Sequence, residues 1–353
     1  MTLSDFNRYD IGVFSSLFPD TVERGTARGF SQWWYFDALS DNGEDAVIVD
    51  FLATPALSTD TNGREQEGNG LSIRKPTVSF EYYRKGKLLY RASCEYPPDQ
   101  LSSDPALGIC RIGDSHFELG SADYGSGYSL KLDLPMARGR RLKAGMEWLF
   151  IESDLLGRED DAVGEKSIWN VVAPRADVTG RFEVTDGNGR TVDTCHFRGS
   201  GYHDQRSGPA NFLENFSTWT WGRIHFPDST AIFLAAECGD VSMSKLLVVR
   251  DSTFRVRDAA CLRQSPSHDR LGIKYDRHIN VGSDDGLELI INRLKPLSSG
   301  MYMLRFICEM ELRLRDGKPR KSLGISECIS PKRLRRGWMT RLSGLFSGRQ
   351  VRP

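Results

Sequence analysis

The sequence has no run of eighteen apolar residues and no C-x-x-C pair, and its 47 basic side chains are balanced by 47 acidic ones. The first absence excludes a membrane-spanning helix. Zero net charge excludes a nucleic-acid binder that works over its whole surface. The seven cysteines are odd in number and widely spaced, which fits free, mostly buried thiols better than a zinc or redox site. Also missing are the G-x-S-x-G elbow, H-E-x-x-H, the phosphate-binding G-x-x-x-x-G-K-[ST] loop and the dinucleotide fingerprint, so hydrolases and nucleotide enzymes of those types lose their support. No metal and no cofactor is expected. The start, MTLSDFNRYDIGVFSSLF, lacks the basic, apolar and small-residue regions of a secretory signal, so a cytoplasmic protein is expected.

What is present is β-strand patterning. Apolar residues are 39% of 353, with 34 glycines, a usual globular composition, and the length suggests two domains. From about residue 27 to 330, short runs alternate with period two between turn residues. Hairpins are expected at Trp34 to Phe51, Val78 to Ala92, Tyr124 to Leu134, Phe182 to Phe197, Leu246 to Val256, Ile279 to Ile291 and Leu304 to Ile325. No long helix is expected before residue 331. A weak repeat sets WWYFDALSDNGEDAVIVDFL against WTWGRIHFPDSTAIFLAAEC, with Trp34 opposite Trp219, Phe36 opposite Trp221 and Leu39 opposite Ile224. The expected architecture is all-β. An N-terminal arm (1–26) precedes two β-barrel or sandwich domains in tandem (27–207 and 208–330), and a basic tail (331–353) follows.

The stretch 57–70, LSTDTNGREQEGNG, has almost no apolar anchors and is expected to be a surface loop. The densest chemistry lies in GYHDQRSGPANFLENFSTWTWGRIHF, from Gly201 to Phe226. On a strand, Tyr202 and Asp204 share one face and His203 takes the other, while Trp219, Trp221 and Arg223 also share a face. A carboxyl in an aromatic wall keeps its proton to higher pH and can act as a general acid, and π-faces stabilise a cation beside it. These are the parts needed to protonate an alkene. The same residues also fit ordinary core tryptophans and an aspartate bonded to a turn. His203 and His225 lack metal-ligand spacing and read as structural. Gln32 to Asp37 holds four consecutive aromatics, two of which must face away from a barrel interior, and Asp37 and Asp50 are lesser acid candidates. Trp169 begins an apolar strand that could line the same pocket.

Residues 331–353, which include PKRLRRGWMTRLSGLFSGR, carry seven basic residues and no acid. Trp338, Leu342, Leu345 and Phe346 recur at helical spacing, as in a short basic helix lying on an anionic membrane surface. Peripheral attachment to the inner membrane through residues 331–353 is therefore expected.

Four elements in order carry a family resemblance: the WWYFDA opening, the W-x-x-x-A-P-x-A strand from Trp169 to Ala176, G-x-x-Y-x-D from Gly199 to Asp204, and the W-x-W strand at Trp219. They resemble the hydroxyneurosporene synthase family, the carotenoid 1,2-hydratases, and their lipocalin-like relatives. The resemblance implies two lipocalin-like domains and a cofactor-independent addition of water to a terminal double bond of a hydrophobic isoprenoid or polyene. It also implies Asp204 as proton donor, with Tyr202 and Trp169 beside it. Trp34, Phe36, His203, Trp219 and Trp221 are then candidate substrate contacts. Ser167 stands where the hydratase pattern has a histidine, two positions before the tryptophan. Relatives that cyclise or isomerise polyenes offer an alternative activity, and a non-catalytic lipid carrier offers another.

Overall fold

The computed structural model describes residues 11–17, 30–54, 75–104, 107–122, 125–155, 167–209, 212, 216–300, 302–315 and 317–335. The chain divides into two compact units, with the division after Phe212. The first contains β1 (Ile11–Phe14), β2 (Phe30–Ser40), β3 (Asp45–Thr54), β4 (Thr77–Arg84), β5 (Lys87–Glu95), β6 (Leu101–Asp104), β7 (Ile109–Ile112), β8 (Ser115–Ala122), β9 (Gly125–Pro135), β10 (Arg141–Glu152), β11 (Ser167–Thr185) and β12 (Thr191–Pro209). The second contains β13 (Thr218–Phe226), β14 (Ser229–Cys238), β15 (Val241–Arg250), β16 (Thr253–Asp258), β17 (Ala260–His268), β18 (Lys274–Gly282), β19 (Glu288–Ser299), β20 (Met303–Arg313) and β21 (Arg320–Ile329). The fold is the expected all-β pair of curled half-barrels in tandem. Among the described residues the helical segments are 3-10 turns at Pro98–Gln100, Ala137–Gly139 and Pro331–Arg335.

Apart from β1, which pairs in parallel with β11, the two sheets share one strand-order pattern, the first having two more strands. In the first the order is β5-β4-β3-β2-β12-β11-β10-β9-β8-β7-β6, and in the second β16-β15-β14-β13-β21-β20-β19-β18-β17. Each is a meander whose first strand returns to pair with its last, β2 with β12 and β13 with β21. The expected hairpins form from turn chemistry except at Tyr124 to Leu134, where residues 125–134 lie within the single strand β9, paired to β8 and β10. Lys85 and Gly86 have φ of 51° and 68°, and Asp251 and Ser252 have 51° and 57°. Two successive positive-φ residues match the right-handed twist of the strands that they join. At the β11–β12 turn, Asp186 Oδ1 accepts from the Asn188 and Arg190 amides at 2.9 and 3.0 Å, and Gly189 takes φ of 78°.

Alternation separates the two faces of each sheet. Trp34, Phe36, Val47, Val49, Phe80, Phe117, Trp148 and Phe182 pack into the first core. Ile224, Phe226, Phe233, Leu246, Phe306 and Met310 pack into the second. These faces correct the expected repeat by one residue. Trp34 and Phe36 point into the first core, whereas in β13 it is Ile224 and Phe226 that enter the second, leaving Trp219 and Trp221 on the opposite face. Trp33 and Tyr35, not Trp34 and Phe36, are therefore the counterparts of Trp219 and Trp221. A slip of one residue exchanges every side chain between faces, so the aromatic match alone was misleading. The 57–70 loop and the stripe Trp338, Leu342, Leu345 and Phe346 lie outside the described residues.

Candidate active site

The site is assembled on the three central strands of the first sheet, on the face opposite its core. Along β12, Tyr202, Asp204 and Arg206 alternate onto this face. Their register partners on β2 are Asp37, Tyr35 and Trp33, and Trp169 of β11 pairs with Arg206. Close approach of β2 and β12 depends on small residues just before the tyrosine. A Cβ on Gly199 would come within 2.1 Å of the Leu39 carbonyl oxygen, and one on Gly201 within 2.8 Å of the Asp37 carbonyl oxygen and 2.6 Å of Trp148 Nε1. The glycines of G-x-G-Y are thus required by backbone contact with the neighbouring strand and with a core tryptophan.

Asp204 is 1% exposed. Its Oδ2 accepts the Trp169 indole N–H at 2.7 Å and the Tyr202 hydroxyl at 2.7 Å, and Arg206 Nε lies 3.7 Å away. The Arg206 guanidinium rests over the Trp169 ring, 4.6 Å from its centroid. Oδ1 is buried and has no hydrogen-bond partner. One oxygen is thus held by donors and the other is available for a proton. Burial raises the Asp204 carboxyl above its ordinary value of 3.8, opposed by the Arg206 charge and by the bonds from Tyr202 and Trp169. Burial and the Asp204 charge raise the Tyr202 phenol well above its ordinary 10.0, so it remains a donor.

The raised carboxyl carries a signature in stability. Between 3.8 and its higher folded value, the native state retains a proton that the unfolded chain has released. Stability then falls as pH rises through that window. In urea titrations across it, the wild-type protein is expected to lose stability relative to Asp204→Asn. Parallel curves would show that Asp204 ionises normally.

A sequence profile described as carotenoid hydratase CrtC matches residues 158–345, which include Trp169, Tyr202 and Asp204. The chain belongs to the carotenoid hydratase family. Over 346 residues it is 22% identical to a Chlorobaculum tepidum protein named hydroxyneurosporene dehydrogenase, covering 92% of this chain and 88% of that one. Among solved structures it is similar to CghA, with a TM-score of 0.60, 12% identity, and 86% and 88% of the two chains covered. It is also similar to a Nitrosomonas europaea protein described as an AttH, with a TM-score of 0.57, 14% identity, and 86% and 92% covered. The two structural likenesses speak to the fold, which is lipocalin-like in both units.

In this carotenoid hydratase family member, the remaining candidates lie elsewhere. Trp34, Phe36 and His203 face the first core, on the other side of the sheet from Asp204. The His203 ring stacks on Phe36 with centroids 3.7 Å apart and planes 2° from parallel. Its Nδ1 lies 2.9 Å from the Tyr35 carbonyl oxygen; because that oxygen can only accept, Nδ1 carries the proton. Asp37 shares the Asp204 face beside Tyr202, while Asp50 accepts the Ser79 hydroxyl at 2.8 Å. The Ser167 hydroxyl donates to the Ser207 carbonyl at 3.4 Å. Sequence reading passed over Tyr35 and Arg206 as site members. The signal for Arg206 was present, since Tyr-x-Asp-x-Arg continues the same alternation.

Trp219 and Trp221 belong to the second unit, on the face away from its core. Trp221 Nε1 donates to Glu327 Oε2 at 2.9 Å, and Arg305 Nε donates to Glu327 Oε1. Glu327 is the register partner of Trp221 on β21, as Asp204 is of Tyr35 on β12. The two carboxylates thus sit on equivalent strands, each bonded by an indole and flanked by an arginine, but the indole and arginine come from β11 and β12 at Asp204 and from β13 and β20 at Glu327. Both oxygens of Glu327 are bonded, whereas Asp204 keeps Oδ1 unbonded.

Proposed function

We propose that this protein adds water across a terminal carbon–carbon double bond of an acyclic carotenoid or a related isoprenoid, with Asp204 as the general acid. The observation that carries this reading is the buried Asp204 carboxyl, with Oδ2 fixed by Trp169 and Tyr202 and Oδ1 unpartnered. Membership of the carotenoid hydratase family supplies the substrate class. The proton on Oδ1 passes to the less substituted alkene carbon, leaving a tertiary cation and the Asp204 carboxylate. Water bonds to the cationic carbon and its surplus proton returns to Asp204, so the acid is regenerated and the net change is one added water. Tyr202 and Trp169 assist by donating to Oδ2, which strengthens as an acceptor when the carboxyl ionises. The domains serving this reaction are taken as 27–207 and 208–330, with the basic tail 331–353 bringing the protein to anionic membranes where such substrates dissolve.

Incubating the purified protein with acyclic carotenoids in anionic vesicles and isotopically labelled water tests the reading. The expected product is heavier by one labelled water. An isomer of unchanged mass would replace hydration with cyclisation or double-bond migration, and unchanged substrate across acyclic carotenoids would favour a carrier.

A further inference from the structure

A carboxyl that protonates an alkene faces two opposed demands. It must keep its proton to higher pH than an exposed carboxyl does, which burial favours, yet an alkene is a very weak base and needs a strong acid. What reconciles the two is a group that stabilises the carboxylate at the moment it forms. We propose that Arg206 is the positioning residue that sets the strength of the Asp204 acid, its guanidinium held over the Trp169 indole so as to stabilise the carboxylate left when the proton leaves. This inference rests on the proposed role of Asp204 and extends it to a residue outside the Tyr-x-Asp and tryptophan pattern.

The geometry supports this at each contact. Arg206 is 6% exposed, so water screens its charge poorly. Its Nε lies 3.7 Å from Oδ2, the oxygen that already accepts from Trp169 and Tyr202. Stacking at 4.6 Å over Trp169 fixes the guanidinium plane and couples it to the donor indole. In the proton transfer the Oδ1–H bond breaks and its electron pair stays on the carboxylate, while the alkene π pair forms the new C–H bond. Arg206 lies against the group that gains negative charge. Other ionisable groups beside Asp204 include Tyr202 on β12, Tyr35 and Asp37 across the β2 register, and His203 on the opposite face of its own strand. Of these, Asp37 in its ionised form opposes the effect, and Arg206 is the permanent cation.

The test is an infrared titration of the Asp204 carboxyl C=O band in the full-length protein, assigned by its loss in Asp204→Asn. In Arg206→Gln and Arg206→Met the midpoint is expected to rise by on the order of 1–3 pH units. Arg206→Lys, which keeps the charge without the planar fork, is expected to bring it back towards wild type. The alkaline limb of kcat/KM for hydration should move up in parallel, with turnover at the plateau lower by roughly 10-fold because the acid is weaker. The two neutral replacements differ in polarity, and near-ultraviolet dichroism identifies which of them is folded. An unmoved or lowered midpoint in a folded neutral variant overturns the proposal. So does the same rise in all three variants, which would mean that packing and not charge is responsible. Because the infrared midpoint needs no substrate, it separates the two readings: a midpoint that rises in a protein that hydrates no carotenoid leaves Arg206 assigned and removes the hydratase.

Discussion

Asp204→Asn is expected to lower hydration by about 10²–10⁴-fold, the usual contribution of a positioned proton donor, while leaving substrate affinity and the fold in place. The amide oxygen can still accept from Trp169 and Tyr202, so the side chain keeps its orientation. The amide nitrogen that replaces Oδ1 cannot release a proton to carbon. Loss of turnover should therefore appear in kcat with KM little changed, because the interaction removed exists in the transition state. In the wild-type enzyme the acid must be protonated to act, so kcat/KM is expected to fall as pH rises through the Asp204 value, which burial has placed above 3.8. An Asn variant that hydrates at the wild-type rate would remove Asp204 from the mechanism. Retained carotenoid binding without turnover would separate the enzyme from a carrier, since a carrier needs no proton.

Much of this was legible in the sequence because period-two patterning and turn chemistry are local. Asn42-Gly43, Lys85-Gly86, Asp251-Ser252 and Asn188-Gly189 each mark a turn from neighbouring residues alone, and the hairpins follow. The face shared by Tyr202 and Asp204 is equally local, since residues two apart on a strand share a side. What was not legible is register between strands distant in sequence. The contact of Trp169 with Asp204 joins residues 35 apart through a β11–β12 pairing whose register shifts between Asn170 and Ala173 and again between Ala173 and Ala176. No alternation count passes through such irregularities. The alignment within the repeat slipped by one residue for a related reason: adjacent aromatics in Trp33 to Phe36 offer two alignments one residue apart, and burial decides between them. The grouping of Trp34, Phe36 and His203 with Asp204 is what the sheet separates, because these three alternate onto the core side.

The second large effect concerns stability. Arg305→Met is expected to destabilise the protein by about 3–5 kcal/mol, as when one partner of a buried ion pair is removed. Arg305 and Glu327 are each 3% exposed, so the carboxylate left behind cannot recover its solvation from water. Trp221 Nε1, a neutral donor at 2.9 Å, does not replace the lost charge. Glu327→Gln is expected to cost less, because the amide keeps the shape and one acceptor. The double replacement Arg305→Met with Glu327→Gln should recover part of the loss, since neither buried charge remains. Urea denaturation of the four proteins closes a double-mutant cycle, and additive losses would mean that the pair is not coupled. The comparison also bears on the active site, where a similar trio of indole, carboxyl and arginine serves a different end. With both oxygens bonded, Glu327 ties β13, β20 and β21 to one another. Asp204, with one oxygen unbonded and its arginine 3.7 Å away, keeps a site where a proton can be held and released. The carboxyls at equivalent positions of the two sheets thus differ in their bonding, Glu327 through both oxygens and Asp204 through Oδ2, which leaves Asp204 as the candidate acid.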